Sequence, residues 1–282
     1  MLTEVEAVAA VGEEPIRSAS CWPIDIRCRD AGGTESVVRV KPVNRREMAG
    51  VAIAEAVAWG ILTACDLYVA QPYIVNISAQ FAADLSVQGK YDPAIRAGRH
   101  WGTRLLNGVG LDKDFDRDQL RQIGRPDHIF RIFVIDELAG NEDRLTEGNL
   151  LLVTDRVLPA RVIAIDQSNC FGGPVCICDR DCLAATRTRR YAHHYQVMER
   201  LLLDRPPEFV DQELALIGAH RDEILAAANI PHAEWYDGAG VTPDCIGEYL
   251  EARLDHLGEL VRRDHWREIC LIGQADAGRL QL

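Results

Sequence analysis

The sequence predicts an α+β fold in two lobes, a small β-rich one over residues 1–78 and a mainly helical one over 79–282. Three observations carry this. Short β-capable apolar runs, separated by turn residues, fill the start of the chain. One long alanine-rich stretch follows them. From about Ala184 onward the pattern is helical, punctuated by Pro206-Pro207, Asn229, Pro231 and Thr242-Pro243.

Each element has its own signal. Val5 to Val11 is β-capable, and Gly12-Glu13-Glu14-Pro15 ends it. Trp22 to Cys28 alternates, with Ile24 and Ile26 on one face. Asp30-Ala31-Gly32-Gly33-Thr34 is a hairpin turn, and Val37 to Lys41 is the returning strand, stopped by Pro42. A helix is expected from about Arg46 to Thr63, apolar nearly all round and hence buried. Tyr73 to Ile77 reads as a strand and Leu85 to Arg104 as a polar loop. Helices are expected at Asp116 to Ile123, at Pro126 to Ala139, around Tyr191 to Leu202, and at Phe209 to Ala219. Others follow at Arg221 to Ala228 and Asp244 to Arg263, with a mobile tail after Gly273. Between them, Leu150 to Val153 and Val162 to Ile165 form a hairpin.

Composition narrows the function. The chain has 282 residues, 48% hydrophobic and 26% charged, as soluble globular proteins have. A formal net charge of −12 disfavours nucleic-acid binding, which needs a basic face. Val51 to Ala70 is apolar, but Glu55 and Asp66 interrupt it, so a buried helix is expected rather than a membrane span. The acidic start lacks the pattern of a signal peptide. Together with nine cysteines, an odd number, this points to reduced thiols in the cytoplasm. Cys170, Cys176, Cys178 and Cys182 cluster ahead of His193 and His194, but Cys-x-Cys-x₃-Cys is not a zinc spacing, so incidental thiols are expected over a structural zinc, with a redox pair of neighbouring cysteines as a third alternative.

Two sets of polar residues stand out. Asp143, Asn149 and Asp166 surround the hairpin, each held by an apolar element. Phosphoryl transfer uses such a set: one carboxylate near the accepting hydroxyl, and an amide and a second carboxylate for magnesium. Upstream, Lys41 ends a strand, and Glu55 sits in an apolar helix where an unpaired carboxylate is costly. A strand lysine paired with a helix glutamate is how a kinase-type lobe aims an ammonium at phosphates. Solvated loop acids and a surface lysine are the plain alternative. Arg17-Ser18-Ala19-Ser20, between the first two strands, lies where a phosphate-covering loop would, although it lacks the glycine pattern of one.

The order of these pieces, with Gly98-Arg99-His100-Trp101-Gly102-Thr103-Arg104, Asn141-Glu142-Asp143-Arg144, Asn149-Leu150-Leu151 and Ile165-Asp166, resembles the HipA-like kinases over roughly residues 10–175. These are bacterial proteins of protein-kinase-like fold, distantly related to phosphatidylinositol kinases. The resemblance implies an ATP- and Mg2+-dependent kinase acting on a hydroxyl, of a protein Ser or Thr or of a small molecule. It also brings an antitoxin-like protein partner into view. It makes Asp143 the catalytic carboxylate and Asn149 and Asp166 the metal ligands. Lys41 becomes the phosphate contact, Glu55 its partner, Arg17, Ser18 and Ser20 the phosphate loop, and Tyr73 to Asn76 the hinge facing adenine. Three departures keep a pseudokinase-type binding module as the alternative. Leu145 stands where the family often has His. The interval from Asp143 to Asn149 (Arg144, Leu145, Thr146, Glu147, Gly148) is one residue longer than usual. Ser18 and Ala19 stand where glycines are expected. The His100-Trp101 patch reads as core packing ahead of a cleft contact.

Overall fold

The computed structural model describes residues 2–11, 23–87, 95–111, 120, 123–141, 143–144, 149–154, 159–185 and 199–279. Five strands form a closed barrel in the order β1-β2-β3-β5-β4. They are β1 (Thr3–Ala10), β2 (Ile24–Arg29), β3 (Glu35–Lys41), β4 (Pro72–Ile77) and β5 (Gly98–Arg104). Neighbours are antiparallel except β1 and β4, whose parallel pairing closes the ring and leaves no long bare edge. The expected β2–β3 hairpin is present, with the Asp30 carboxylate accepting the Thr34 N–H at 2.8 Å.

Strand alternation decides what faces the cavity described below. Val38 and Val40 point into the barrel with Ile26, Val75 and Ile77. Arg39 and Lys41 therefore face outward, toward helix α1 (Arg46–Ala64). The stretch expected as a loop, 85–104, instead ends helix α2 (Ala79–Val87) and then forms β5, so the sheet runs past residue 78. Gly-Arg-His-Trp-Gly-Thr-Arg hides its strand character because its inward positions are His100 and Gly102 rather than large apolar residues. His100 spends both ring nitrogens on the chain: Nδ1 accepts the Val43 N–H at 2.8 Å, and Nε2 lies 3.0 Å from the Arg96 carbonyl.

α1 is buried on nearly every side, as its composition predicts. Its length and apolarity would suit a membrane span, yet most of it is buried inside the protein. Two glycines let its neighbours approach. A Cβ on Gly50 would lie 2.6 Å from Ile177 Cγ2 and 2.9 Å from the Pro174 carbonyl, and one on Gly60 would overlap Ile230 and Ala227.

The rest of the chain begins with β6 (Val109–Gly110), α3 (Asp127–Ala139) and the expected hairpin, β7 (Leu150–Val153) with β8 (Arg161–Ala164). The helices α4 (Gly173–Cys176), α5 (Arg180–Ala185), α6 (Glu208–Ala219), α7 (Arg221–Ala226), α8 (Ala233–Ala239), α9 (Pro243–Asp255), α10 (Leu257–Leu260) and α11 (Arg263–Arg279) follow. Arg131 of α3 makes a buried two-point ion pair with Glu213 of α6, at 2.7 and 3.1 Å, fixing those helices together.

Four expectations need correction or fall outside the described residues. The helix expected from Asp244 to Arg263 breaks at His256, where φ −117 and ψ 21 leave the helical region. The tail after Gly273 continues α11 to Arg279. Ile123 pairs with Ala160 as an isolated bridge rather than ending a helix, while residues 116–119, like most of the helix expected before Leu202, lie outside the described residues. Cys176 and Cys182 form a disulfide, since the turn between α4 and α5 brings their Cα atoms to 5.1 Å, so they are not reduced thiols. Cys28, Cys65, Cys170, Cys178, Cys245 and Cys270 are free.

Close packing at Gly50 gives a paired prediction. Gly50→Ala should destabilise by about 1–3 kcal/mol through overpacking. Gly247→Ala in α9, where an added Cβ meets nothing within 4 Å, should stabilise by about 0.5–1 kcal/mol. Urea unfolding of the two variants against wild type checks both signs.

Candidate active site

A cavity of about 320 Å³ lies between the outer face of β3 and the β7–β8 hairpin. One end is polar, with Lys41, Glu55, Asn149, Asp166 and Gln167 in its wall; the other is lined by Leu62, Val69, Ala70, Leu105, Leu106 and Leu151. A volume of this size with few convergent polar groups suits a small organic ligand.

The polar end is tied together by one ammonium. Lys41 Nζ donates to Glu55 Oε1 and, at 2.7 Å, to Asp166 Oδ1. Glu55 Oε1 also accepts the Gln167 N–H at 2.8 Å. Lys41 and Glu55 are both buried. Burial pushes the Glu55 carboxyl above its ordinary range, and the neighbouring Asp166 adds to this, against the downward pull of Lys41 and the Gln167 amide. Asp166 goes the other way. Burial would raise it, but the Lys41 ammonium and the Ser168 hydroxyl and amide outweigh burial and hold it at about 2. It is therefore a full carboxylate at neutral pH. Asp166 has φ 55, a left-handed conformation that aspartate tolerates better than most residues.

Asp143 does not itself line the cavity but is joined to it through Asn149, which does. Asn149 Nδ2 donates to the Asp143 carbonyl at 2.7 Å and more weakly to its Oδ2 at 3.4 Å. Asn169 Nδ2 donates to the same Oδ2 at 3.0 Å. The longer interval between Asp143 and Asn149 thus still returns the amide to the carboxylate, although residues 145–148, Gly148 included, lie outside the described residues. Arg17, Ser18 and Ser20 also lie outside them.

Beneath these groups is a buried clamp. α3 ends at Gly140, whose φ of 65 reverses the chain. Asn141 and Arg144 then both turn back to Asp136 in the helix. Arg144 Nε and Nη2 bond the two Asp136 oxygens at 2.8 and 2.9 Å, and Asn141 Nδ2 adds a third bond at 3.0 Å. Arg144 Nη1 reaches the carbonyls of Asn149 at 2.9 Å and Ile165 at 2.6 Å, and Nη2 also meets the Gln167 side chain. One guanidinium thus fixes Asn149 itself and the residues on either side of Asp166. The sequence reading missed Asp136, although the logic that singled out Glu55, a carboxylate in an apolar helix, applies equally to it.

The segment expected to face adenine is a strand of the barrel. Tyr73 to Asn76 pair inside the barrel with β1 and β5. The chain leaving the barrel beside the cavity is Arg104 to Leu106, with Leu105 N–H bonding the Val37 carbonyl at 3.1 Å. Trp101, directly opposite Lys41 in register, lines the cavity, and its ring packs edge-on against Trp235. Cys178 Sγ contacts the carbonyls of Arg46 and Pro174, Cys170 is buried beside Gln167, and no group of three or more metal-binding side chains occurs among the described residues.

No family model and no curated protein sequence matches the chain. Among solved structures, the Helicobacter pylori proinflammatory kinase CtkA superposes with a TM-score of 0.50 over 96% of this chain and 99% of that one. The fold is kinase-like. At 12% identity the likeness concerns the fold alone.

The buried groups around the site give two predictions. Arg144→Ala strands the buried Asp136 carboxylate and should cost about 3–5 kcal/mol, whereas Asp136→Asn with Arg144→Gln, which removes both charges, should cost clearly less than Arg144→Ala alone; thermal unfolding compares them. His100 is held near pKa 4, below its ordinary 6.5, chiefly by burial. A depressed histidine favours the folded state while neutral, so stability is full above about pH 6.5 and falls as pH drops toward 4. The loss approaches about 3 kcal/mol, because each tenfold weakening of proton binding on folding is worth about 1.4 kcal/mol. His100→Gln should flatten that part of a stability–pH curve.

Proposed function

We propose that this protein is a HipA-like kinase that transfers the terminal phosphoryl group of ATP, with magnesium, to a hydroxyl. One observation carries the reading: an ammonium from β3 and a carboxylate 125 residues later meet at 2.7 Å in the wall of a cavity that also holds Asn149. Lys41 neutralises the inner phosphates, and Glu55 aims it. The apolar end takes the base.

The side chains suit magnesium, which prefers oxygen ligands and keeps several waters. The Asn149 bonds above use its NH₂ group and leave its amide oxygen for an ion. Lys41 and Ser168 both take Asp166 Oδ1, leaving Oδ2. When bound, the ion would offset the charge spread over the phosphate oxygens. Asp143 orients the acceptor hydroxyl and takes its proton, with Asn169 holding its carboxylate in place. The rest of the rate comes from positioning and preorganised charge. The acceptor we propose is a protein serine or threonine.

The test is phosphoryl transfer from ATP with magnesium, comparing wild type with Asp143→Ala and Lys41→Met. Turnover should fall by about 100-fold or more in Asp143→Ala. Mass spectrometry of the products separates protein from small-molecule acceptors. Wild-type turnover no higher than that of Asp143→Ala, across both kinds of acceptor, would instead support a binding module.

A further inference from the structure

Arg39 is unexplained by the site so far. It lies two residues before Lys41 on the same outward face of β3, about 6–7 Å along the strand, and it lines the same cavity. Its guanidinium is clamped from one side. Nε donates to Asp25 Oδ1 at 2.8 Å and Nη2 to Asp25 Oδ2 at 2.9 Å. Asp25 sits directly opposite it in the β2–β3 register. Such a fork fixes the plane of the group as well as its charge. The Arg39 side chain keeps 36% of its surface exposed, so the clamp does not bury it.

The strand register says which part of a ligand it meets. Lys41 marks the polar end, opposite Trp101. Walking back along β3, Val38 pairs with Arg104, and the Val37 carbonyl accepts the Leu105 N–H, at the apolar end. Arg39 falls between the two. The β7–β8 hairpin supplies Leu151 and Ala164 to the same cavity. We propose that the Arg39 guanidinium, held flat by Asp25, is the surface on which the heteroaromatic base of the bound nucleotide stacks, with Leu151 on the opposite face. This rests on the nucleotide reading above and adds a recognition element to it. A guanidinium plane favours any aromatic base through its π-face, so it contributes affinity without choosing between purines.

Calorimetric titration of wild type, Arg39→Ala and Arg39→Lys with ATP and with inorganic tripolyphosphate, both with magnesium, tests it. Tripolyphosphate has the charges and lacks the base. Both variants should bind ATP about 5- to 20-fold more weakly than wild type and bind tripolyphosphate within about twofold of it. Arg39→Lys keeps the charge and loses the plane, and it decides the matter if Arg39→Ala unfolds. Unchanged ATP affinity in Arg39→Lys, or an equal loss for both ligands, overturns the stacking role and leaves the kinase reading standing if Lys41→Met still abolishes ATP binding. Wild type that binds neither ligand overturns both.

Discussion

Arg144 is the side chain on which the geometry of the cavity depends. It is buried, and its bonds tie together three pieces of the site's support: the Asp136 carboxylate of α3, Asn149 just before β7, and the stretch after β8 at Ile165 and Gln167. A buried ion pair is weak evidence for stability, because desolvating two charges offsets much of their attraction. What it supplies here is register. A guanidinium has a fixed plane and fixed donor directions, so the three chain segments that share it cannot slide past one another independently.

Lys41 performs a similar service one layer up. It is the point where the barrel touches the hairpin's end, and Glu55 holds it from behind. The two cations therefore divide the work. Arg144 sets where Asn149 and Asp166 sit relative to each other, and Lys41 sets where that pair sits relative to β3. Asp166 stays ionised because both its Lys41 and Ser168 neighbours favour the charged form.

The polar residues that sequence reasoning found were legible in two ways: Asp143, Asn149 and Asp166 by their places around a hairpin, and Glu55 by its apolar setting. Glu55 in an alanine-rich helix is legible because burial demands a partner. Asp136 was equally legible by that rule and was passed over because its helix also contains Glu137 and Arg131, which blur the contrast. β5 was illegible for a different reason. Its inward face carries a histidine and a glycine, so no apolar stripe marks it, and only the closing of the barrel makes it a strand. The Cys176–Cys182 bridge depended on a tight turn between two short helices that spacing alone does not reveal.

α1 carries one more implication. Kinase-like folds are commonly switched by swinging the helix that bears the glutamate. Here that helix is wedged: Ile177 and Pro174 press on it at Gly50, and Ile230 and Ala227 at Gly60. Swinging Glu55 away from Lys41 would mean levering open the middle of the molecule. The packing at these two glycines thus ties the position of Glu55 to the helices on both sides of α1.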